Sequence, residues 1–344
     1  MKRLHPMRTC ALVLGAAVAV AAGACLLPEN PYQRWQLLDG TIHANARWIY
    51  ERSTFDPAPV DVAVVGPSRT GAGVNAPRLQ RDLAGRGIVA NVVNFSLPES
   101  GRNINEAVVA TLLARKRPTL LVIGVTEQPA RRGHSAFKFV APRGMIADPG
   151  YWTDVNYFSD LVYLPFRQMR LFLADVAPRA AGLTKTFDPA AYRGSSIDTT
   201  GSVVLPGGAV KEGEKPASAA ELARGVGKLE RGMHPPLLPA RDADLEFGDE
   251  RHNIRRIVTL AHARGVKVAF LFLPFYSGPG TIEEQRFYEQ FGPVWNAGWL
   301  SPHAEWYADY GHLTRTGAEH LTDWLAGPVA AALQSSDPPR RAPA

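Results

Sequence analysis

A serine near the start of the chain and a histidine near its end are the residues best suited to chemistry. Ser68 stands in the segment GPSRTG over residues 66–71, directly after the apolar run 61–65, and His312 follows Asp309 by three residues. A carboxylate at this spacing can hold Nδ1 of the imidazole while Nε2 accepts the serine proton. The three residue types therefore predict a nucleophile at Ser68, a general base at His312 and an orienting carboxylate at Asp309.

The glycines around the serine also resemble two nucleotide-binding patterns, and both can be tested on the sequence. Gly66 and Gly71 match the opening of a Walker A loop, but Ala72 and Gly73 stand where that loop needs Lys and Ser/Thr. A dinucleotide fingerprint over residues 71–76 begins too far beyond the apolar run 61–65, and no acidic residue stands at the end of the next apolar run, 88–94. Nucleotide binding is therefore not expected.

Short apolar runs and amphipathic segments must position these residues. The apolar runs predict strands over 61–65, 88–94, 120–125 and 266–273, and apolar spacing predicts helices over 76–85, around 104–112, around 254–264 and around 316–329. A capping-box pattern at Thr316 and Glu319 predicts the start of the last helix. Alternating buried strands and helices predict an α/β protein with a parallel sheet covered on both faces. Function in such sheets collects at the carboxyl ends of the strands.

Composition and charge exclude several classes of protein. The chain has 344 residues, of which 46% are hydrophobic and 20% are charged. This is enough apolar material for a sizeable core, and it excludes collagen, coiled coils and polytopic membrane proteins. Three basic residues of the N-terminal segment supply half of the net charge of +6, and no basic stripe is present elsewhere. Nucleic acid is therefore not expected as a partner.

The N-terminal segment predicts export. Residues 1–8 are basic, and the uncharged run CALVLGAAVAVAAGACLL follows over residues 10–27. This pattern is typical of a secretory signal peptide or of an uncleaved N-terminal membrane anchor, and a lipobox ending at Cys25 is a third alternative. Each places the body in the periplasm or another extracytoplasmic compartment. Both cysteines, Cys10 and Cys25, lie in this segment, so the body offers no disulfide and no thiolate nucleophile.

The rest of the chain predicts one domain with a long insertion. After the leader of residues 1–27, we expect a lead-in segment over 28–57, an α/β domain over 58–333 and a disordered tail over 334–344. Regular patterning fails over about 131–245, which we interpret as an irregular insertion. Its aromatic residues, together with one near the C-terminus, are expected to pack in the interior, with a sugar-stacking platform as the alternative. They are Trp152, Tyr157, Phe158 and Trp306.

The two chemical segments resemble those of a known superfamily. VVGPSRTGAG over 64–73 and WYADYGHLTRTGAEHL over 306–321 resemble the serine and D-x-x-H blocks of SGNH/GDSL hydrolases. The similarity covers about 58–128 and 246–330. It implies a three-layer α/β/α, flavodoxin-like fold. The envelope-anchored layout looks most like the DltD-like proteins and the alginate O-acetyltransferase group, which act on acyl groups of cell-wall glycans or exopolysaccharides.

The resemblance also assigns roles to individual residues. It makes Ser68 the nucleophile and a source of an oxyanion N–H group, with Gly101 as a second N–H donor. Pro67 replaces the Asp of the family's GDS motif. The Asn of the third block has no counterpart, because Thr126 and then Glu127 stand at the strand end; the Thr126 hydroxyl can donate in its place.

Charged residues near the expected site have two interpretations. Arg69, Arg102 and Glu127 could line a substrate pocket, or they could be ordinary exposed charges. The histidines around Asp309 and His312 match no metal-ligand spacing, and no cofactor motif is present, so neither a metal nor a cofactor is expected.

Together these features predict a cell-envelope serine esterase or O-acyltransferase with a Ser-His-Asp triad. Its expected substrate is an acylated glycan or a small ester, and a membrane acyl-donor protein is a further expected partner if the enzyme transfers acyl groups. Two alternatives remain open: a non-catalytic assembly or carbohydrate-binding protein on the same scaffold, and a lipid-directed esterase.

Overall fold

The computed structural model describes residues 6–204 and 210–335. The helices are α1 (Pro6–Cys25), α2 (Pro31–Gln36), α3 (Asn45–Thr54), α4 (Ser68–Gly73), α5 (Ala76–Gly85), α6 (Asn103–Leu113), α7 (Phe137–Val140), α8 (Arg143–Ile146), α9 (Tyr157–Val176), α10 (Pro178–Ala181), α11 (Ala219–Gly232), α12 (Ala243–Glu246), α13 (Gly248–His262), α14 (Gln285–Tyr288) and α15 (Arg315–Gln334). The strands are β1 (Val62–Val65), β2 (Val92–Asn94), β3 (Leu120–Val125), β4 (Ser202–Val204), β5 (Val210–Glu212), β6 (Lys267–Phe272) and β7 (Val294–Asn296). Short 3-10 helices cover Pro149–Tyr151, Ala240–Asp242, Gly298–Leu300 and Ala304–Trp306.

Five of the strands form one parallel sheet in the order β2-β1-β3-β6-β7. The other two, β4 and β5, form a separate antiparallel hairpin. Without that hairpin the order is 2-1-3-4-5, a common order of doubly wound α/β sheets. The predicted α/β class with a parallel sheet is thus confirmed.

Apolar side chains fill both faces of the sheet, because helices cover it on both sides. Val62 and Val64 of β1 pack with α5 and α15, whereas Ala63 and Val65 pack with α6 and α13. All four residues of β1 and all six of β3 are buried, as continuous apolar runs predict for a doubly covered parallel sheet. The arrangement is consistent with a three-layer α/β/α fold.

Several boundaries differ from the sequence prediction. The second strand begins at Val92 rather than at residue 88, and β7 was not predicted because Val-Trp-Asn is too short to form an apolar run. The capping box at Thr316 is wrong: Thr314 caps α15, and its hydroxyl accepts the N–H of Gly317 at 3.1 Å. Glu319 instead lies 3.5 Å from Arg78 on α5.

The lead-in and the insertion are joined to each other and to the sheet domain. The Trp48 indole donates to the Gly194 carbonyl at 2.9 Å, and Arg52 donates to the Ser195 carbonyl at 2.8 Å. The Thr199 hydroxyl donates to the carbonyl of Gly71 in α4 at 2.6 Å. These bonds bring residues 194–199 beside the helix that begins with Ser68.

The ends of the chain are described in part. Residues 7–25 form a helix that is long and apolar enough to cross a membrane, and it is almost entirely exposed. This is weakly compatible with the predicted export. Of the predicted tail, Gln334 ends α15, and residues 336–344 lie outside the described part, as do residues 1–5.

Candidate active site

The first part of the site is the turn from β1 into α4. The strand ends at Val65, Gly66 and Pro67 make the turn, and Ser68 is the first residue of the helix. A Cβ at position 66 would collide with the side chain of Thr70, so the turn requires glycine there. Ser68 therefore lies at the carboxyl edge of the central strands, half-buried, at a helix start where its own N–H has no helical acceptor.

The second part is the loop that precedes α15. An isolated bridge between Tyr307 and Leu313 closes this loop at its base. Within it, one carboxylate oxygen of Asp309 accepts the backbone N–H groups of Gly311 at 2.8 Å and His312 at 2.9 Å. The carboxylate thus holds its own loop in the shape that presents the imidazole.

The two parts meet in a chain of hydrogen bonds. Ser68 Oγ lies 2.8 Å from His312 Nε2, although the residues are 244 positions apart in sequence. His312 Nδ1 lies 2.9 Å from each carboxylate oxygen of Asp309. Both distances are within the reach that nucleophile, base and orienting acid require. The structure brings together the three residues that the sequence selected.

The electrostatics of Asp309 favour a permanent negative charge. Burial by itself raises the pKa of this carboxyl, but the hydrogen bonds from His312 and from the N–H groups of Gly311 and His312 outweigh it and lower the pKa to about 2. An ionised carboxylate on Nδ1 fixes the imidazole tautomer that leaves Nε2 free to accept a proton from the serine.

The residues expected around an oxyanion, Gly101 and Thr126, share a small cavity with Pro67, the residue before Ser68. Gly101 adopts φ +134°, and a Cβ there would collide with the backbone of His134, so this position accepts only glycine. The Thr126 hydroxyl donates to the Gln128 carbonyl at 2.6 Å, so it is already used within its own turn.

Arg69 and Glu127 form a buried ion pair rather than two exposed charges. The guanidinium and the carboxylate make two hydrogen bonds, of 3.0 and 2.8 Å. Arg69 also donates to the Leu273 carbonyl and lies 3.8 Å from the centre of the Phe275 ring. Glu127 accepts the N–H of Phe275 at 2.7 Å. The pair thus connects α4, the end of β3 and the loop after β6.

Arg102 is likewise an interior residue. Its guanidinium pairs with Glu250 at 2.8 Å and donates to the carbonyl of Gly124 at 3.0 Å, and its backbone N–H donates to Asp249 at 2.8 Å. Neither acid of α13 was selected from the sequence. No local signal could have found them, because they are 147 and 148 positions away from Arg102.

Two further cavities adjoin the site. Ser68 borders one of about 200 Å³, whose walls include Ile42 of the lead-in, Leu97 after β2, and Arg193 and Asp198 of the insertion. A larger cleft of about 540 Å³ has the Arg69–Glu127 pair and Tyr310 in its wall. The basic residues Arg131, Arg132 and Lys228 line that cleft as well. Insertion residues therefore contribute to both cavities, which sequence patterns could not show.

One group of side chains in the described residues has a spacing that could hold a metal. The ligand atoms of His43, Glu99 and His134 lie within 4.8 Å of one another. However, His134 uses both ring nitrogens already: Nδ1 accepts the N–H of Ala136, and Nε2 lies 2.5 Å from the Pro98 carbonyl. These residues were not selected from the sequence, and the hydrogen bonds account for His134 without a metal.

The aromatic residues selected from the sequence are not one platform. Trp306 stacks on His303 with ring centres 3.7 Å apart and contacts His320. Trp152 and Phe158 are 62% and 69% exposed, so the expectation that they pack in the interior is wrong.

No family model matches this chain, and no curated protein matches it. What the fold and the site define is a class: an α/β protein with a five-stranded parallel sheet and hydrogen-bonded Ser, His and Asp side chains at the carboxyl edge of its central strands.

Proposed function

We propose that this protein is a serine esterase or O-acyltransferase of the SGNH type that acts on acyl esters of envelope glycans. The observation that carries the proposal is the hydrogen-bonded chain from Ser68 Oγ through His312 to Asp309, with links of 2.8 and 2.9 Å. A serine hydroxyl is a weak nucleophile without a base at this distance, and a base needs an orienting acid.

The geometry supports a two-step reaction. Ser68 Oγ attacks the ester carbonyl carbon while its proton moves to His312 Nε2, and the charge on the former carbonyl oxygen faces backbone N–H groups at Ser68 and Gly101. The alkoxide leaves with the proton from His312, and the acyl group stays on Ser68. Water or a sugar hydroxyl then attacks the acyl-enzyme, with His312 again as base, and releases an acid or a new ester.

The shape of the site favours a short acyl group on a larger polar molecule. The cavity at Ser68 is small, about 200 Å³, whereas the neighbouring cleft of about 540 Å³ is open and has basic side chains in its wall. A short acyl chain fits the first and a glycan the second. The apolar helix α1 supports a place at the cell envelope.

One observation favours a second candidate, a non-catalytic carbohydrate-binding or assembly protein. The strand end that carries the oxyanion Asn in the SGNH superfamily offers no free side-chain donor here, since the Thr126 hydroxyl donates to Gln128 and Glu127 is paired with Arg69. Loss of one oxyanion donor lowers the rate by a factor on the order of 10²–10³ in enzymes where it has been measured, which slows catalysis without abolishing it.

Replacement of the nucleophile tests the proposal. Ser68→Ala should lower kcat for p-nitrophenyl acetate by about 10⁴–10⁶-fold and abolish labelling by a fluorophosphonate, with an unchanged melting temperature. Ser159→Ala, which removes an exposed hydroxyl on α9, is the control and should keep both signals. Full turnover by Ser68→Ala would overturn the mechanism, and a wild-type protein that never labels would favour the binding role.

A further inference from the structure

Helix α9 presents a continuous apolar stripe on its outer face. Six large apolar side chains recur every three or four residues over the length of the helix, which places them on one face. They are Phe158, Val162, Phe166, Met169, Leu173 and Val176, and each is between 38% and 69% exposed. Val155, just before the helix, extends the stripe and is 77% exposed. A stripe of this length is unusual for a surface that faces only water.

The opposite face of α9 holds the helix firmly on the body. Leu164 and Leu171 are buried, and so is Arg167, whose guanidinium donates to the carbonyls of Lys138 and Ala141 at 2.9 and 2.7 Å. The rotation of the helix is therefore fixed by packing and hydrogen bonds. The stripe is exposed because of the fold, and not because the helix is loosely attached.

The stripe continues into the N-terminal helix. α1 and α9 enclose an apolar groove of about 790 Å³, to which α1 contributes residues between Ala16 and Ala24. The α9 residues of the groove lie between Phe158 and Met169 and include four members of the stripe. The end of α1 is anchored beside the same helix, because Arg143 donates to the Cys25 carbonyl at 2.9 Å and Gln168 to the Leu27 carbonyl at 3.3 Å.

If α1 crosses a bilayer, its contact with α9 sets the depth of α9 in that bilayer. The span is residues 7–25, and the groove involves its C-terminal half. Nine helical residues rise about 13 Å, close to half of a hydrocarbon core of about 30 Å. A helix packed beside that half lies at the level of the leaflet nearest the body. Exposed Trp152 before α9, and exposed Arg170 and Arg179 along and after it, are residue types that favour the headgroup region.

We propose that α9 lies in the bilayer leaflet nearest the body, with its apolar stripe against lipid acyl chains. Two elements, α1 and α9, then hold the domain on the membrane and fix the direction in which Ser68 faces. The occupant we infer is lipid because the stripe is continuous with a helix whose own surface suits lipid. The inference is independent of the proposed esterase activity.

Site-directed labelling of the full chain tests this placement. In a Cys10→Ser, Cys25→Ser background, Phe166→Cys and Leu173→Cys carry an environment-sensitive NBD fluorophore, and the protein is reconstituted in phosphatidylethanolamine–phosphatidylglycerol nanodiscs. The fluorescence emission of both labels should shift to shorter wavelength, and lipids with a nitroxide on the acyl chain should quench it. Val89→Cys is the matched control, since Val89 is an apolar residue outside the stripe and is 94% exposed; its label should remain in water.

Two results would overturn the proposal. Stripe labels as water-exposed as the one at Val89 would show that the bilayer does not cover α9. Stripe labels that are shielded but not quenched by the lipid nitroxide would show that protein covers it, and cross-linking between copies would then identify a dimer. Melting temperatures of the labelled variants check that each one is folded. None of these outcomes depends on ester turnover.

Discussion

Ser68 and Arg69 are neighbours in sequence, but they belong to two different kinds of polar cluster. Ser68 joins His312 and Asp309, whose side chains are 19% and 23% exposed, at the edge of a cavity. Arg69 turns inward to Glu127, and their side chains are 7% and 2% exposed. The two clusters therefore have different roles. The partly exposed cluster of Ser68, His312 and Asp309 can contact a ligand, whereas the buried cluster of Arg69 and Glu127 holds in place the loops that carry it.

The route from the buried pair to the histidine loop can be followed contact by contact. Arg69 lies over the ring of Phe275, and that ring stacks on Tyr310 with centres 5.3 Å apart. A Cβ at Gly311 would come within 3.0 Å of the same ring. The ion pair thus supports both the helix of Ser68 and the loop of His312. We expect changes in the partly exposed cluster to affect mainly activity, and changes in the buried cluster to affect mainly stability.

Apart from replacement of the nucleophile, the largest expected effect belongs to the orienting carboxylate. Asp309→Asn should lower kcat for p-nitrophenyl acetate by about 10³–10⁴-fold, because an amide that donates to Nδ1 selects the wrong imidazole tautomer. Steady-state kinetics at pH 8 measure this, and thermal unfolding should show a small change beside it. A variant with near-normal kcat would show that Asp309 only shapes its loop, and the contrast with the buried cluster would then disappear.

The next effect is on stability. Glu127→Gln keeps an acceptor for the N–H of Phe275 but leaves the Arg69 charge buried without a carboxylate, and breaking a buried pair in this way costs about 3–5 kcal/mol of unfolding free energy. Urea unfolding followed by circular dichroism measures it.

The matched control is an ion pair on the surface. Arg78 pairs with Asp323 at 2.6 Å, and the two side chains are 30% and 49% exposed. Asp323→Asn should cost no more than about 1 kcal/mol, because exposed pairs contribute little. Equal losses in Glu127→Gln and Asp323→Asn would contradict the distinction between the two clusters.

The two clusters also differ in how far the sequence could predict them. Ser68, Asp309 and His312 stand next to recognisable strand and helix signals, so the expected topology alone brought them together. Glu127 could be seen as a polar residue at a strand end, but its pairing with Arg69 depends on side-chain directions that patterns do not contain. The acids of α13 that hold Arg102 lie beyond the insertion, and only the packing of α13 on α6 makes them neighbours.

The fold, too, could be predicted from the sequence only where burial leaves a local pattern. Long apolar runs such as that of β3 were located to the residue, since burial on both faces leaves a continuous signal. β7 has only three residues, too few for an apolar run that patterns can detect, and it is defined by its pairing with β6. Helix α9 lies within residues 131–245, which the sequence led us to interpret as irregular, so that interpretation is wrong for Tyr157–Val176. Even a recognised helical spacing would not have shown which apolar face is covered.

An effect that depends on pH separates two aspartates, Asp309 and Asp249. Hydrogen bonds lower the pKa of Asp309 to about 2, whereas burial raises the pKa of Asp249, which accepts the N–H of Arg102, to about 8. Both carboxyls have an ordinary pKa of 3.8. A lowered pKa in the folded state gives stability that is present above pH 3.8 and is lost as the pH falls towards 2. A raised pKa has the opposite sign: stability falls as the pH rises from 3.8 towards 8.

The two carboxyls should therefore give the unfolding free energy opposite dependences on pH. Unfolding measured from pH 2 to pH 9 in the wild type, Asp309→Asn and Asp249→Asn checks this. The wild type should lose about 1–2 kcal/mol of unfolding free energy below pH 4, and Asp309→Asn should not show this loss. The loss is this small because partial exposure of the carboxyl weakens the effect of its pKa shift. Asp249→Asn should instead flatten the decline between pH 4 and pH 8 and leave the acid limb unchanged. If both variants flattened the same limb, hydrogen bonding and burial would not be acting separately on the two acids.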